Sequence, residues 1–293
     1  MTVAVGYLAG KCGHAPLNLA VEVARMLRSP LVVVTVVPKP WTTPSQARVD
    51  AEYAAFAAKL GAQSEEEARG YFAAKAPDLD ISYRQVTSRT AGDGLLDAVE
   101  EIGVEVLVVG SSSDGALGQV VLGSTTDWLL HASPVPVAIS PRGYRGSRSG
   151  AVSRVTFAHS GTPESVRAVG RMARLCTRCH IAMRVVSFAI RGRTMYPPEV
   201  GLHAEDTLLA ALAGDLEQML AGLKAEGVVP EDVATQVVTG NGWGEALDST
   251  EWQDGELLAV GTTSRLSIKS VFLGSRGAKI IRYSPVPVLV LPG

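Results

Sequence analysis

VLVVGSSSDGALGQVVLGSTTDWLLHASPVPV (106–137) and LLAVGTTSRLSIKSVFLGSRGAKIIRYSPVPV (257–288) align without a gap, and both end on the pentapeptide SPVPV. Gly110 falls on Gly261, Leu122 on Leu273, and Gly123-Ser124 on Gly274-Ser275. Upstream, Ala24-Arg25 aligns with Ala173-Arg174 after a slight change of offset. A period of about 150 residues marks a duplicated domain rather than a solenoid repeat, because a unit of that size buries its own core.

Two domains also suit a chain of 293 residues. The Gly-, Ser- and Arg-rich stretch PRGYRGSRSG (141–150) has no apolar period. The expected division is therefore residues 1–143, a linker at 144–152, and residues 153–293.

Within the first half, the β-branched run LVVVTVV (31–37) suits a strand covered on both faces, as in a parallel sheet. Val3–Val5, Ile81–Val86, VEVLVVG (104–110) and PVPVAIS (134–140) supply the other strands. The helical stripe Leu17, Ala20, Val21, Ala24 and Leu27, an Ala- and Glu-rich segment to about Ala76, Gly94–Ile102, and Ser124–His131 alternate with them. The second half repeats this order. The predicted fold class is α/β: two tandem doubly wound domains, each a five-stranded, mainly parallel sheet with helices on both faces.

Proline at two positions of PVPV fits an edge strand. The two copies are expected to face each other across a pseudo-twofold axis, making an internal pseudodimer, with a homodimer of whole chains as a further level. The alternative is a shared edge strand with no docking role.

Composition excludes several classes. A net charge of −2, with scattered basic residues, gives no electrostatic case for nucleic acid. The opening MTVAVGYLAG is not a signal peptide, and no apolar run reaches membrane-spanning length. Three cysteines form no disulfide framework, so a cytoplasmic protein is expected.

In a doubly wound sheet the ligand crevice lies beyond the C-terminal ends of the strands, where the strand order reverses. The loop after the fourth strand carries Gly110, Ser111, Ser112 and Ser113, then nine residues, then Gly123, Ser124 and Thr125 opening a helix. The second half carries Gly261, Thr262, Thr263 and Ser264, nine residues, then Gly274, Ser275 and Arg276. A glycine leaving a strand permits close backbone approach. Small hydroxyl residues and a helix N-terminus offer donors to an anion, so both loops read as phosphate sites. A plain strand–loop–helix connection is the alternative.

Both loops resemble the nucleotide-binding pattern G-x2-G-x9-G-[ST] of universal stress proteins, and the resemblance covers both halves in strand order and in the PVPV-type terminal strand. It implies a five-stranded sheet, ATP (with or without Mg2+) bound by part of the family, dimeric packing through the last strand, and a role in stress survival. The second glycine of the pattern is Ser113 in one half and Ser264 in the other. Nucleotide-binding members usually carry an aspartate at the end of the first strand; here that place falls on Gly6, and on His159 or Ser160. The first half, where Gly115 and Gly118 supply flexibility, reads as the better site.

Other signals have plainer readings. CTRCH (176–180) has the spelling of a haem-attachment or redox motif, yet it sits at a helix end where two small apolar side chains pack. Zinc would need further ligands that neither Cys12 nor His203 is placed to give. HSGTPES (159–165) suggests a pyrophosphatase loop of adenylating enzymes, or simply helix capping by Ser160 or Thr162. Trp41, Met195, Tyr196, Pro197 and Pro198 form lids, partner patches or ordinary packing. With no Walker lysine, repeated carboxylate pair or oriented nucleophile, the leading function is a nucleotide-binding sensor rather than an enzyme, slow ATP hydrolysis aside. The rival function is an interaction scaffold that binds no nucleotide; an adenylating enzyme comes third.

Overall fold

A computed structural model describes residues 2–11, 13–39, 48–114, 116–190, 202–264, 271–272 and 275–292. The chain divides into two compact units, Met1–Ala151 and Val152–Gly293. Trp41, Met195, Tyr196, Pro197 and Pro198 lie outside the described residues.

The first unit runs β1 (Val3–Gly6), α1 (Ala15–Leu27), β2 (Leu31–Pro38), α2 (Arg48–Lys75), β3 (Ile81–Ser88), α3 (Ala91–Ile102), β4 (Val106–Gly110), α4 (Ser124–Ala132) and β5 (Val137–Ser140). The strands lie in the order β3-β2-β1-β4-β5, and every pairing is parallel. The order reverses between β1 and β4, which fixes where a crevice opens. Both strands there are buried almost throughout, as a sheet covered on two faces requires. Helix α1 packs on β1, β4 and β5, whereas α3 and α4 pack on each other. Gly92 is needed at that second contact, because a Cβ there would stand 2.4 Å from Cδ1 of Trp128.

The second unit repeats the plan: β6 (Arg154–His159), α5 (Pro163–Cys179), β7 (Ala182–Ile190), α6 (Leu202–Ala225), β8 (Ala234–Gly240), α7 (Trp243–Asp248), β9 (Glu256–Gly261), α8 (Ser275–Tyr283) and the final strand Val288–Leu291. Two short strands, β10 (Thr263–Ser264) and β11 (Val271–Phe272), form an antiparallel clip after β9. The final strand is therefore β12, and the order is β8-β7-β6-β9-β12, again parallel throughout. Leu17, Leu107, Leu129 and Ile139 anchor the first core; Phe157, Met172, Leu247 and Leu257 anchor the second. Each such side chain contributes ~1.5–3 kcal/mol by leaving water.

The repeated pentapeptide has a local cause. The strands start at Val137 and Val288, so both prolines precede the ladder instead of lying within it. In each copy the serine hydroxyl bridges the valine two residues on: Ser133 Oγ donates to Val135 O (2.8 Å) and accepts from Val135 N–H (3.3 Å). Ser284 and Val286 repeat this at 2.7 and 3.3 Å. The carbonyl of the second proline then accepts the first sheet bond, from Leu107 N–H and Leu258 N–H respectively, at 2.9 Å in both units. SPVPV is thus a serine-anchored connection from helix to strand, in which proline removes donors that the turn would leave unpaired.

The stretch expected as a linker turns back onto α1. Tyr144 Oη donates to Glu22 Oε2 (2.6 Å), Ser147 N–H donates to Glu22 Oε1, and Asn18 Nδ2 donates to Tyr144 O (3.0 Å). Arg25 Nη1 reaches Gly150 O at 3.0 Å. These bonds explain why a carboxylate as buried as Glu22 is tolerated.

At the N-terminal ends of its strands the second unit holds an ionic cluster that the first lacks. The Glu256 side chain is 0% exposed and meets Arg154 (2.6 Å) and Arg184 (3.0 Å). Thr156 Oγ1 and Gln253 N–H also donate to it. At the matching places the first unit has Glu105 beside Thr2, and Val32 in place of Arg184.

Candidate functional site

The loop that leaves β4 is closed on itself before any ligand is considered. Ser112 N–H donates to Val121 O (2.8 Å), while the buried Ser111 hydroxyl accepts from Val121 N–H (2.7 Å) and donates to Val121 O (3.2 Å). Ser111 N–H continues the ladder to Ser140 O at 3.0 Å. At the far tip, Gly118 N–H bonds Arg142 O (2.9 Å) and Arg142 N–H bonds Gln119 O (3.0 Å). Gly118 takes φ +79°, a conformation that favours glycine.

Gly110, the three serines, Gly123, Ser124 and Thr125 converge on this loop. Gly123 caps α4 in extended conformation (φ −82°, ψ 170°) with no side-chain cap. A Cβ on it would stand 3.4 Å from Cβ of Ser112, so the two arms of the loop touch here. The helical bond from Asp127 N–H to Gly123 O (2.9 Å) leaves the N–H groups of Ser124, Thr125 and Thr126 ahead of the helix ladder. Thr126 Oγ1 donates to Gly110 O at 3.3 Å and ties the helix start to the strand end. Ser111 therefore holds the frame, the Ser112 and Ser113 hydroxyls donate to Asp114 (3.5 and 3.4 Å), and the first turn of α4 presents N–H groups outside the helix ladder.

The second unit keeps the ladder bond at Thr262, but the hydroxyl there turns to the final strand instead of across the loop. Thr262 is buried, and both its N–H and its hydroxyl donate to Leu291 O at 3.0 Å. Thr263 pairs with Phe272 and Ser264 with Val271 in the antiparallel clip, the counterpart of the bond between Ser112 and Val121. Gly274 lies outside the described residues; Ser275 opens α8, and Arg276 is exposed in its first turn.

On the first-strand side, register refines the expected equivalence. Val3 pairs with Val106 and Val155 with Leu257, so Gly6 corresponds to Ala158 and Tyr7 to His159. A side chain on Gly6 would stand 3.0 Å from both δ-carbons of Leu95. Tyr7 instead turns to α2, its hydroxyl donating to Glu67 Oε1 at 2.6 Å. His14 Nε2 lies 3.3 Å from the same oxygen, and its ring stacks on Tyr71 at 4.4 Å. Ala9 N–H donates to Ser64 Oγ (3.0 Å), so α2 holds the β1–α1 turn at Tyr7, Ala9 and His14. A carboxylate thus does stand near the end of β1, but it comes from α2. Composition marked α2 as helical without saying which of its residues reach the turn.

In the second unit, His159 Nδ1 lies 3.0 Å from Ser165 Oγ, which also accepts from Ser160 N–H (3.1 Å). Burial pushes the His159 imidazole below its ordinary pKa. Thr162 caps α5 through Ser165 N–H (3.2 Å), with Pro163 beginning the helix, which accounts for HSGTPES as a capping sequence.

CTRCH ends α5. His180 takes the left-handed cap (φ 56°), as Arg28 does after α1 (φ 51°). Cys176 is 3% exposed, and burial followed by the neighbouring Cys179 pushes its thiol up to about 12. Thiolate is the reactive form, so Cys176 should stay unlabelled by iodoacetamide at pH 8 in the native protein and label on denaturation. Peptide mass spectrometry gives the readout, and rapid native labelling would contradict this packing. Among the described residues no group of His, Cys, Asp and Glu forms a metal site, and no helix is long and apolar enough to cross a membrane.

Comparison with known proteins agrees with this architecture. The model of the universal stress protein family matches residues 1–141 and, a second time, residues 152–292. A universal stress protein of Mycobacterium tuberculosis (strain ATCC 25618 / H37Rv) is 53% identical over 293 residues, covering 100% of both chains. One of Mycobacterium bovis (strain ATCC BAA-935 / AF2122/97) matches to the same extent. Among solved structures, that of a universal stress protein from Archaeoglobus fulgidus DSM 4304 overlays with a TM-score of 0.65 at 17% identity, across 99% of this chain and 98% of that chain, a likeness of fold. The duplicated loop, the reversed strand order in each unit and the two family matches place this chain in the universal stress protein family, with the family unit present twice.

Proposed function

We propose that each unit binds an adenine nucleotide on the Gly/Ser loop after its fourth strand, with ATP, with or without Mg2+, as the first ligand to test. The chain then acts in the cytoplasm as a sensor or regulator in the stress response, not as a catalyst. The supporting observation is the closed loop of the first unit. Its frame is held by Ser111 and the paired backbone of Ser112 and Val121, which leaves the N–H groups opening α4 as donors beside the Ser112 and Ser113 hydroxyls that donate to Asp114. Such donors hold a phosphate without a catalytic side chain.

A second reading, a docking scaffold without nucleotide, draws on the first strands: Gly6 with Tyr7, and Ala158 with His159, supply no carboxylate of their own at the strand end. The test is to denature the purified protein, identify released nucleotide by chromatography and mass, and titrate ATP with and without magnesium calorimetrically. Recovered or titrated nucleotide supports the sensor. Neither nucleotide nor heat at millimolar ATP leaves the scaffold.

A further inference from the structure

From Gly110 to Asp127 the first unit's loop contains no Lys or Arg, but it contains Asp114. The Asp114 carboxylate stands 3.5 Å from Ser112 Oγ and 3.4 Å from Ser113 Oγ, and its own N–H points to Ser112 Oγ at 3.4 Å. An acidic side chain thus sits on the two hydroxyls that the loop would turn toward phosphate. Asp127 adds a second carboxylate in the first turn of α4. Arg142 is tied to the loop through its backbone, at Gly118 and Gln119. The aligned position in the second unit is Arg265, which lies outside the described residues, so the two halves carry opposite charge at one place in the repeat.

We infer that Asp114 determines the ligand class of the first unit's loop, admitting a nucleoside monophosphate in preference to a triphosphate. This inference rests on the reading of that loop as a nucleotide site. The N–H groups opening α4 are neutral donors that suffice for one phosphate. Every further phosphate brings negative charge toward Asp114, and the loop from Gly110 to Asp127 holds no Lys or Arg to offset it, so repulsion, screened at this exposed position, weakens a triphosphate about tenfold. Discrimination then comes from a built-in repulsive group as much as from attraction.

The test uses the full chain with Ser275→Asp, which silences the second loop so that only the first reports. AMP and ATP are titrated calorimetrically, without divalent metal, against this protein and against the same protein carrying Asp114→Asn. The carboxamide keeps the size and one accepting oxygen but not the charge; melting curves confirm that both fold. The parent should bind AMP at least about tenfold more tightly than ATP, and D114N should tighten ATP about tenfold but AMP less than about threefold. If ATP equals AMP in the parent, or if D114N moves both nucleotides alike, the role of Asp114 is overturned while the nucleotide site stands. If neither nucleotide binds either protein, the site itself is rejected, and the inference with it.

Discussion

Gly123→Val with Ser124→Asp should remove nucleotide binding from the first unit, by at least about a hundredfold, while its fold stays intact. Gly123 is extended, a conformation that valine adopts readily, so the backbone does not object. The obstruction is local. With a Cβ already 3.4 Å from Ser112, the γ-methyls of valine press on the Ser112 arm and close the approach to the backbone. Aspartate at the first position of α4 favours the helix dipole, yet sets a fixed negative charge where a phosphate would lie. Loss of binding should therefore come with an unchanged or slightly raised melting temperature, a combination that general damage does not give. Calorimetric titration beside a melting curve checks it; unchanged affinity in a chain whose second loop is silenced by Ser275→Asp would move the site elsewhere.

How much of this was legible in the sequence depends on how local each cause is. The duplication, the alternation of strands and helices and the nine-residue loop spacing could be read because they rest on pattern along the chain. SPVPV was placed in the strand because apolar β-branched residues look alike inside a ladder and just before one. Only the hydroxyl bridges of Ser133 and Ser284 mark where the ladder begins. Gly and Ser content reads residues 144–152 as a linker; it does not encode the bonds from Tyr144 and Ser147 to Glu22, more than a hundred positions earlier. Glu67 reaching Tyr7, and Asp114 lying on the loop serines, are likewise contacts that spacing does not encode. The first-strand equivalence shifted by one residue, from Gly6 to Tyr7, because only pairing to β4 and β9 fixes register.

The buried cluster in the second unit makes the other large effect. Glu256→Ala should destabilise that unit by about 3–5 kcal/mol, since it leaves Arg154 and Arg184 facing each other without their counter-ion. The Nε of Arg154 is already buried without a hydrogen-bond partner, so the site has little capacity to absorb further loss. Glu256→Gln should cost less, because the amide oxygen still accepts from an arginine. Burial alone would push the Glu256 carboxyl up, but donors from Arg154, Thr156 and Gln253 N–H, with the charge of Arg184, outweigh it and hold the group below its ordinary value. The sign follows: a carboxyl depressed on folding adds stability above its unfolded pKa, and that stability is lost as pH falls through the folded value. The wild type should therefore lose stability in acid more steeply than Glu256→Ala. Amide hydrogen exchange in β6, β7 and β9 at neutral and acid pH measures both effects. Equal protection of these strands in wild type and variant at neutral pH would show that the arginines are solvated and that the cluster contributes little.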